Sequence, residues 1–386
     1  MVIMLNVFTY LKSLFAIFLF LLFISGCQQS SSDVTIHKKI SAERPIGKSL
    51  PDDAMNQTIH PITIEEAMFH SVIDFVDEKR IVYIENNSDG TSSINLYNFI
   101  EGVSEWSYRA NAPIIHAEMS PSKKYLLVHS SPMMSEAKID IIDLKMKSVI
   151  VSDSVPSFEL AYEWNPYNDQ QLLITAFQDD FTYKMFDLNI KSGEKREVSL
   201  SQPFVKWKSD SEVIAINWNI NEPQTSAPLI QFQMNGDGKT IDPNHEYYFI
   251  DSWEGILMLF SINQNNQHTS TVTFFNSEME KIYEKTIPHL NAYSTIVVPY
   301  LDYIEEKKSF YMILPKEYGE TDMYTGGFQL VEIHPFDGKE KVLIEDIMNA
   351  PLSCHNKGDQ CLIGYRYENM LSLYDQSLQP IVNVKE

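Results

Sequence analysis

From about residue 69 onward the chain is a succession of short apolar runs rich in Val, Ile, Leu, Phe and Tyr, broken by clusters of Gly, Asn, Asp, Ser and Pro. This rhythm predicts strands joined by turns, and no stretch keeps a helical period for longer than two turns. Only Glu65-Glu66-Ala67-Met68 reads as a single helical turn.

The apolar runs recur in sets. Residues 114–152 read Ile-Ile-His-Ala-Glu-Met-Ser-Pro, Tyr-Leu-Leu-Val-His-Ser, Ile-Asp-Ile-Ile-Asp-Leu, then Ser-Val-Ile-Val. Residues 158–200 repeat the plan, with Pro166 for Pro121, Leu172-Leu173-Ile174 for Leu126-Leu127-Val128, and Asp187-Leu188 for Asp143-Leu144, at offsets of 44 to 46 residues. Four short strands and their turns have that length, which is one propeller blade. Similar units start near residues 70, 114, 158, 204, 247, 295 and 351. The fourth lacks a clear outer strand and the sixth is long. Trp164, Trp207 and Trp253 fall near the end of the first strand in three successive units. The expected fold is therefore an all-β propeller of four-stranded blades over residues 59–386, seven by this count; a pair of β-sandwiches is the competing arrangement, without a reason for the period.

The N-terminus follows another pattern. Leu14 to Ile24 is a charge-free apolar run preceded by Lys12, and Ile24-Ser25-Gly26-Cys27 follows the lipobox rule of an aliphatic residue, two small residues and a cysteine. Residues 1–26 are expected to be a lipoprotein signal peptide and Cys27 the diacylated, palmitate-bearing residue. An uncleaved helical anchor is the alternative, although Lys12 interrupts the longer apolar run. Either one puts the remainder outside the cytoplasm. Residues 27–58 are polar, hold Pro45, Gly47 and Pro51, and read as a tether that would span roughly 30 Å as a random coil.

Charge narrows the partners. The formal charge is −22, and the signal segment carries only a lysine, so the exported part is more acidic still. This balance argues against nucleic acid and anionic lipid headgroups as partners, since each would require a basic stripe. Hydrophobic residues at 44% supply a large core. Besides Cys27 the cysteines are Cys354 and Cys361, separated by the turn-rich His-Asn-Lys-Gly-Asp-Gln. A hairpin there would bring them opposite each other, and outside the cytoplasm a disulfide is expected. Two free thiols, or a zinc site using His355, are the alternatives.

The lipobox, together with Ser-Pro-Ser-Lys-Lys-Tyr-Leu-Leu-Val (120–128) and Phe-Asp-Leu-Asn (186–189), resembles the YqgU-like propeller lipoproteins of Gram-positive bacteria. More distantly, these segments are similar to TolB-type propellers, whose blades carry a Ser-Pro-Asp-Gly-Lys turn. The resemblance covers about residues 60–386. It implies six blades rather than seven, so either the outermost units share a blade or the fourth unit is none. It implies no catalytic residues.

Local motifs add little chemistry. Ser120-Pro121-Ser122-Lys123 has the Ser-x-x-Lys spacing of penicillin-recognising enzymes, but its proline marks an inter-strand turn where those enzymes open a helix. Glu85–Gly90 and Gln233–Gly238 imitate the start of a calcium loop, yet the twelfth position is Leu96 or Asn244 where a bidentate acid is required. A weak cation site near Asp237 and Asp242 stays open. Gln178-Asp179-Asp180 and 263–268 read as hairpin tips, and the three tryptophans as inter-blade packing or an aromatic platform. No catalytic residue, metal or cofactor is expected. A non-enzymatic module for an envelope protein or polymer is the leading expectation, with an envelope glycan- or peptide-acting enzyme built at the channel mouth second, and a purely structural or assembly role also open.

Overall fold

The computed structural model describes residues 58–385 apart from positions 134, 220, 223 and 235. The signal segment, Cys27 and the tether lie outside the described residues.

Seven four-stranded antiparallel sheets follow one another along the chain. Their first strands are Phe69–Phe75, Ile114–Met119, Glu159–Trp164, Lys206–Trp207, Phe249–Trp253, Leu301–Ile304 and Leu352–Cys354. In each sheet the strands pair in order of sequence, the up-and-down meander of a propeller blade. The fourth does have an outer strand, the three-residue Lys239–Ile241. The sixth is long because of a small separate sheet of Leu290–Ala292, Thr295–Val297 and Gly319–Glu320 beside its blade.

The apolar runs are continuous because both faces of every blade are buried. Along the second strand of the third blade, Leu172 and Ile174 enter the core shared with the second blade, and Leu173 enters the core shared with the fourth. Along the second strand of the fifth blade, Ile256, Met258 and Phe260 face the sixth blade while Leu257 and Leu259 face the fourth. Period-two alternation thus serves two neighbours, not a core and a solvent face. Each of the seven apolar clusters lies between adjacent blades, and one of them joins the seventh to the first. All seven lie within one compact unit, Gln57–Glu386.

Closure of the ring is reinforced at the termini. Ile62–Glu65 pairs in parallel with Val382–Lys385, and Ile62, Ile64 and Val382 pack with Phe69, Tyr83 and Leu362 of the first and seventh blades. Glu65–Met68 is not helical: the Met68 N–H donates to the Glu65 carbonyl (2.9 Å) in a turn, because the chain must reverse from this clasp into the first blade. Cys354 and Cys361 are directly opposed across the first hairpin of the seventh blade and are bonded to each other.

The tryptophans separate by one residue of register. Trp164 faces Leu172 and Trp207 faces Val213, each the second residue of its neighbouring strand, whereas Trp253 faces Ile256, the first. Trp164 and Trp207 therefore pack towards the preceding blade and Trp253 towards the following one, against Phe310 and Tyr303. Trp207 is fully buried and Trp253 only partly. Trp207→Ala is expected to lower the unfolding free energy by about 3–5 kcal/mol, and Trp253→Ala by clearly less, measured by urea denaturation.

Candidate functional site

The inner strands carry a pattern that appears only when the blades are aligned by register. The third residue of each second strand faces, in chain order, Asp74, Glu118, Glu163, Lys206, Asp251, Asp302 and Ser353. Six of these seven equivalent positions are ionisable, at the inner edge of blades whose next residue enters the apolar core or its margin at Phe75, Trp164, Trp207 and Tyr303. In a propeller the innermost strands line the central channel.

The groups of this ring hold one another. Lys206 Nζ lies 2.9 Å from Glu163 Oε2 and 2.9 Å from Asp251 Oδ1. Lys123, from the turn after the second inner strand, pairs with Asp74, which also accepts a hydrogen bond from Ser353 Oγ (2.7 Å). Asp302 is different. Its partners are two backbone N–H groups, from Cys354 (2.6 Å) and Tyr303 (2.9 Å), and among the described residues no cation lies within ion-pair distance.

Burial sets the protonation of the ring. It pushes Asp302 up to about 7, against the pull of the Cys354 N–H and Lys123, with Asp74 adding to the rise. It likewise pushes Glu163 up to about 7, although Lys206 opposes it. For Lys206 burial acts downward, but Glu163 and Asp251 together hold its value above normal, so it stays charged.

At the end where the inner strands finish, a cavity of about 930 Å³ is walled by strand ends and turns from the second to the seventh blades. Glu163, Lys206 and Asp302 line it, with Trp164, Trp253 and Tyr303 as its aromatic surfaces. Three polar atoms on lining residues, Tyr162 Oη, Trp164 Nε1 and Ser252 Oγ, are buried with no hydrogen-bond partner. Unpaired buried donors are costly, and these three have essentially no accessible surface, so they lie within the wall and not on the cavity face.

Other sequence candidates resolve as structure. Lys123 has φ of 59° and its N–H donates to the Ser120 carbonyl (2.8 Å), so Ser120–Lys123 is a turn, with the lysine directed to Asp74. Glu85–Gly90 ends a hairpin in which Gly90 adopts φ of 83° and Asp89 binds Thr91 and Arg109. In the second imitation Asp237 is exposed, while Asp242 accepts from Tyr247 Oη (2.7 Å) and contacts His245. Asp180 caps its own turn through Thr182. Among the described residues no group of three His, Cys, Asp or Glu side chains is placed to hold a metal ion. The ionisable ring is the feature that motif reading misses; its one signal in sequence is a charged residue before an aromatic one, Asp74-Phe75, Glu163-Trp164, Lys206-Trp207 and Asp302-Tyr303, found in four of the seven repeats.

A closed ring of four-stranded meanders with a cavity at its channel mouth defines a β-propeller. The YqgU-like 6-bladed beta propeller domain family matches residues 95–364, and the chain belongs to that family. Its description specifies six blades; here seven four-stranded sheets close the ring. A Bacillus subtilis protein named "Uncharacterized lipoprotein YqgU" is 20% identical over 330 residues, covering 85% of this chain and 88% of that protein. The crystal structure of an uncharacterized protein from Listeria monocytogenes EGD-e superposes with a TM-score of 0.75 at 16% identity, covering 85% of this chain and 98% of that one. The β-propeller domain of the Trilobed protease from Pyrococcus furiosus shares the fold at a TM-score of 0.53 and 14% identity, over 82% of this chain and 99% of that one.

A buried acid whose folded value lies above its unfolded one retains an extra proton between the two. Its contribution to stability is present below about 4 and is lost as the pH rises through about 7. Between pH 5 and pH 8 the protein should therefore lose stability relative to its Asp302→Asn variant, read as the difference in urea midpoints, and a carboxyl infrared band titrating near pH 7 should be weaker in the variant.

Proposed function

We propose that the chain is a lipoprotein held at the outer face of a cell membrane through a diacylated Cys27, and that its propeller is a non-enzymatic module recruiting an envelope protein or polymer at the channel mouth. One observation carries this reading. Most charged groups of the inner ring are engaged with each other, while the cavity at the channel mouth is about 930 Å³ and is faced by Trp164, Trp253 and Tyr303. Paired charges position and shape a site, and aromatic walls on a cavity of this size recognise a ligand. The lipobox and the name of the Bacillus relative support the anchor.

A second reading rests on Glu163 and Asp302, both on the cavity and both pushed up to about 7, where a general acid operates at neutral pH. An enzyme acting on envelope glycan or peptide would use them, and turnover of such a substrate, lost in both Glu163→Gln and Asp302→Asn, would replace the binding reading.

The binding reading is tested by covalent crosslinking of the anchored protein in its native envelope, with soluble residues 58–386 as competitor. Reproducible enrichment of a defined partner, removed by the competitor, is expected. Capture that ignores the competitor, or none at all, counts against it. The Cys27→Ser protein should incorporate no labelled palmitate and should be lost from the membrane fraction.

A further inference from the structure

We propose that the face opposite the channel mouth carries a second docking surface, an aromatic patch across the second to fourth blades that takes a basic, apolar segment of another protein. The inference goes beyond the channel-mouth reading and does not depend on it.

The patch lies at the end where the inner strands begin. Phe158 and Phe204 stand just before the inner strands of the third and fourth blades, Met133 ends the second strand of the second blade, and Phe181 lies in the hairpin between the second and third strands of the third. Their exposures are 54%, 60%, 63% and 82%. Short contacts join them into one surface. The Phe158 N–H donates to the Phe177 carbonyl (2.8 Å), and the Phe177 ring lies 5.4 Å from that of Phe204. Gln178, in the turn of Phe181, donates to the Pro156 carbonyl (3.2 Å), and Pro156 is opposite Glu136, itself opposite Met133. Exposed apolar patches rimmed by polar groups mark interaction surfaces.

Phe181 is an independent sign. Its turn is closed by the Gln178 N–H donating to the Thr182 carbonyl (2.8 Å) and the Phe181 N–H donating to the Gln178 carbonyl (3.1 Å). Phe181 has φ of 64°, the left-handed position of a bulged hairpin, where glycine is favoured. The ring gains little burial within the chain in return. Neither local conformation nor packing accounts for a phenylalanine there, whereas burial against a partner does.

Charge selects the occupant. Glu136 and Glu159 border the patch beside Met133 and Phe177, and Asp179 and Asp180 precede Phe181. Against them stands Lys184, while Lys138 is paired with Asp140. On a chain of formal charge −22, this acidic margin repels a second copy and anionic headgroups alike, and complements lysine or arginine.

The propeller unit Gln57–Glu386, which holds all seven apolar clusters, is titrated calorimetrically at physiological salt with three short peptides of equal length. One alternates Lys with Leu and Trp, the second has Glu for Lys, and the third has Ser for Leu and Trp. The first should bind saturably, at least about ten-fold tighter than either other peptide. Phe181→Gly should weaken it about ten-fold while its urea midpoint holds or rises, because glycine suits the turn. Asp179→Asn combined with Glu159→Gln should weaken it about five-fold, and Phe336→Ser, exposed at the mouth end, should leave it unchanged. Equal affinity for the three peptides, no saturable binding, indifference to Phe181→Gly, or a lowered urea midpoint in that variant overturns the proposal. Dimers in sedimentation that Phe181→Gly abolishes would overturn it too, assigning the patch to a second copy.

Discussion

A four-stranded blade presents apolar side chains on both faces, and neither can be left in water. The alternation of Leu172, Leu173 and Ile174 between two different inter-blade cores expresses this constraint, and everything else follows from it. A row of blades would leave two apolar surfaces at its ends, so the row curves until the last covers the first. Here the junction is the cluster joining Phe69, Phe75 and Tyr83 to Leu362 and Met370. The parallel clasp of Ile62–Glu65 and Val382–Lys385 ties the two termini at that junction.

Closure also creates the site. Bending seven blades into a ring points seven inner strands at one axis and places their equivalent positions within reach of one another. Lys206 then meets carboxylates from the blades on either side, Glu163 and Asp251, and Asp74 meets groups from the second and seventh blades. Asp302 is the member of this circle that finds only backbone donors. The packing that buries the apolar faces also withdraws these carboxyls from water, which is why burial dominates the protonation of both Asp302 and Glu163.

The architecture was largely legible before any coordinates. Pro121 and Pro166, with the Leu-Leu-aliphatic runs that follow them, mark the same turn and the same central strand in two blades, and the starts read from the sequence fall close to the observed first strands. The opposed Cys354 and Cys361 were readable because a hairpin has few geometries. The short outer strand Lys239–Ile241 was missed because three residues carry too little pattern. Glu65–Met68 was misread because its local composition favours a helix, while its turn is dictated by pairing with a strand more than three hundred residues away.

The sequence by itself determined the repeat, the strands and the burial of both blade faces, since these depend on side chains within a few residues of each other. The tertiary structure alone decided what those repeats bring together. Asp74, Glu163, Lys206, Asp251 and Asp302 are far apart along the chain, and each is an unremarkable charged residue at a strand end. Which of them would be paired, and which would stand buried without a cation on a cavity, depends on the direction each inner strand takes across the channel, a property of the closed ring and of no single segment.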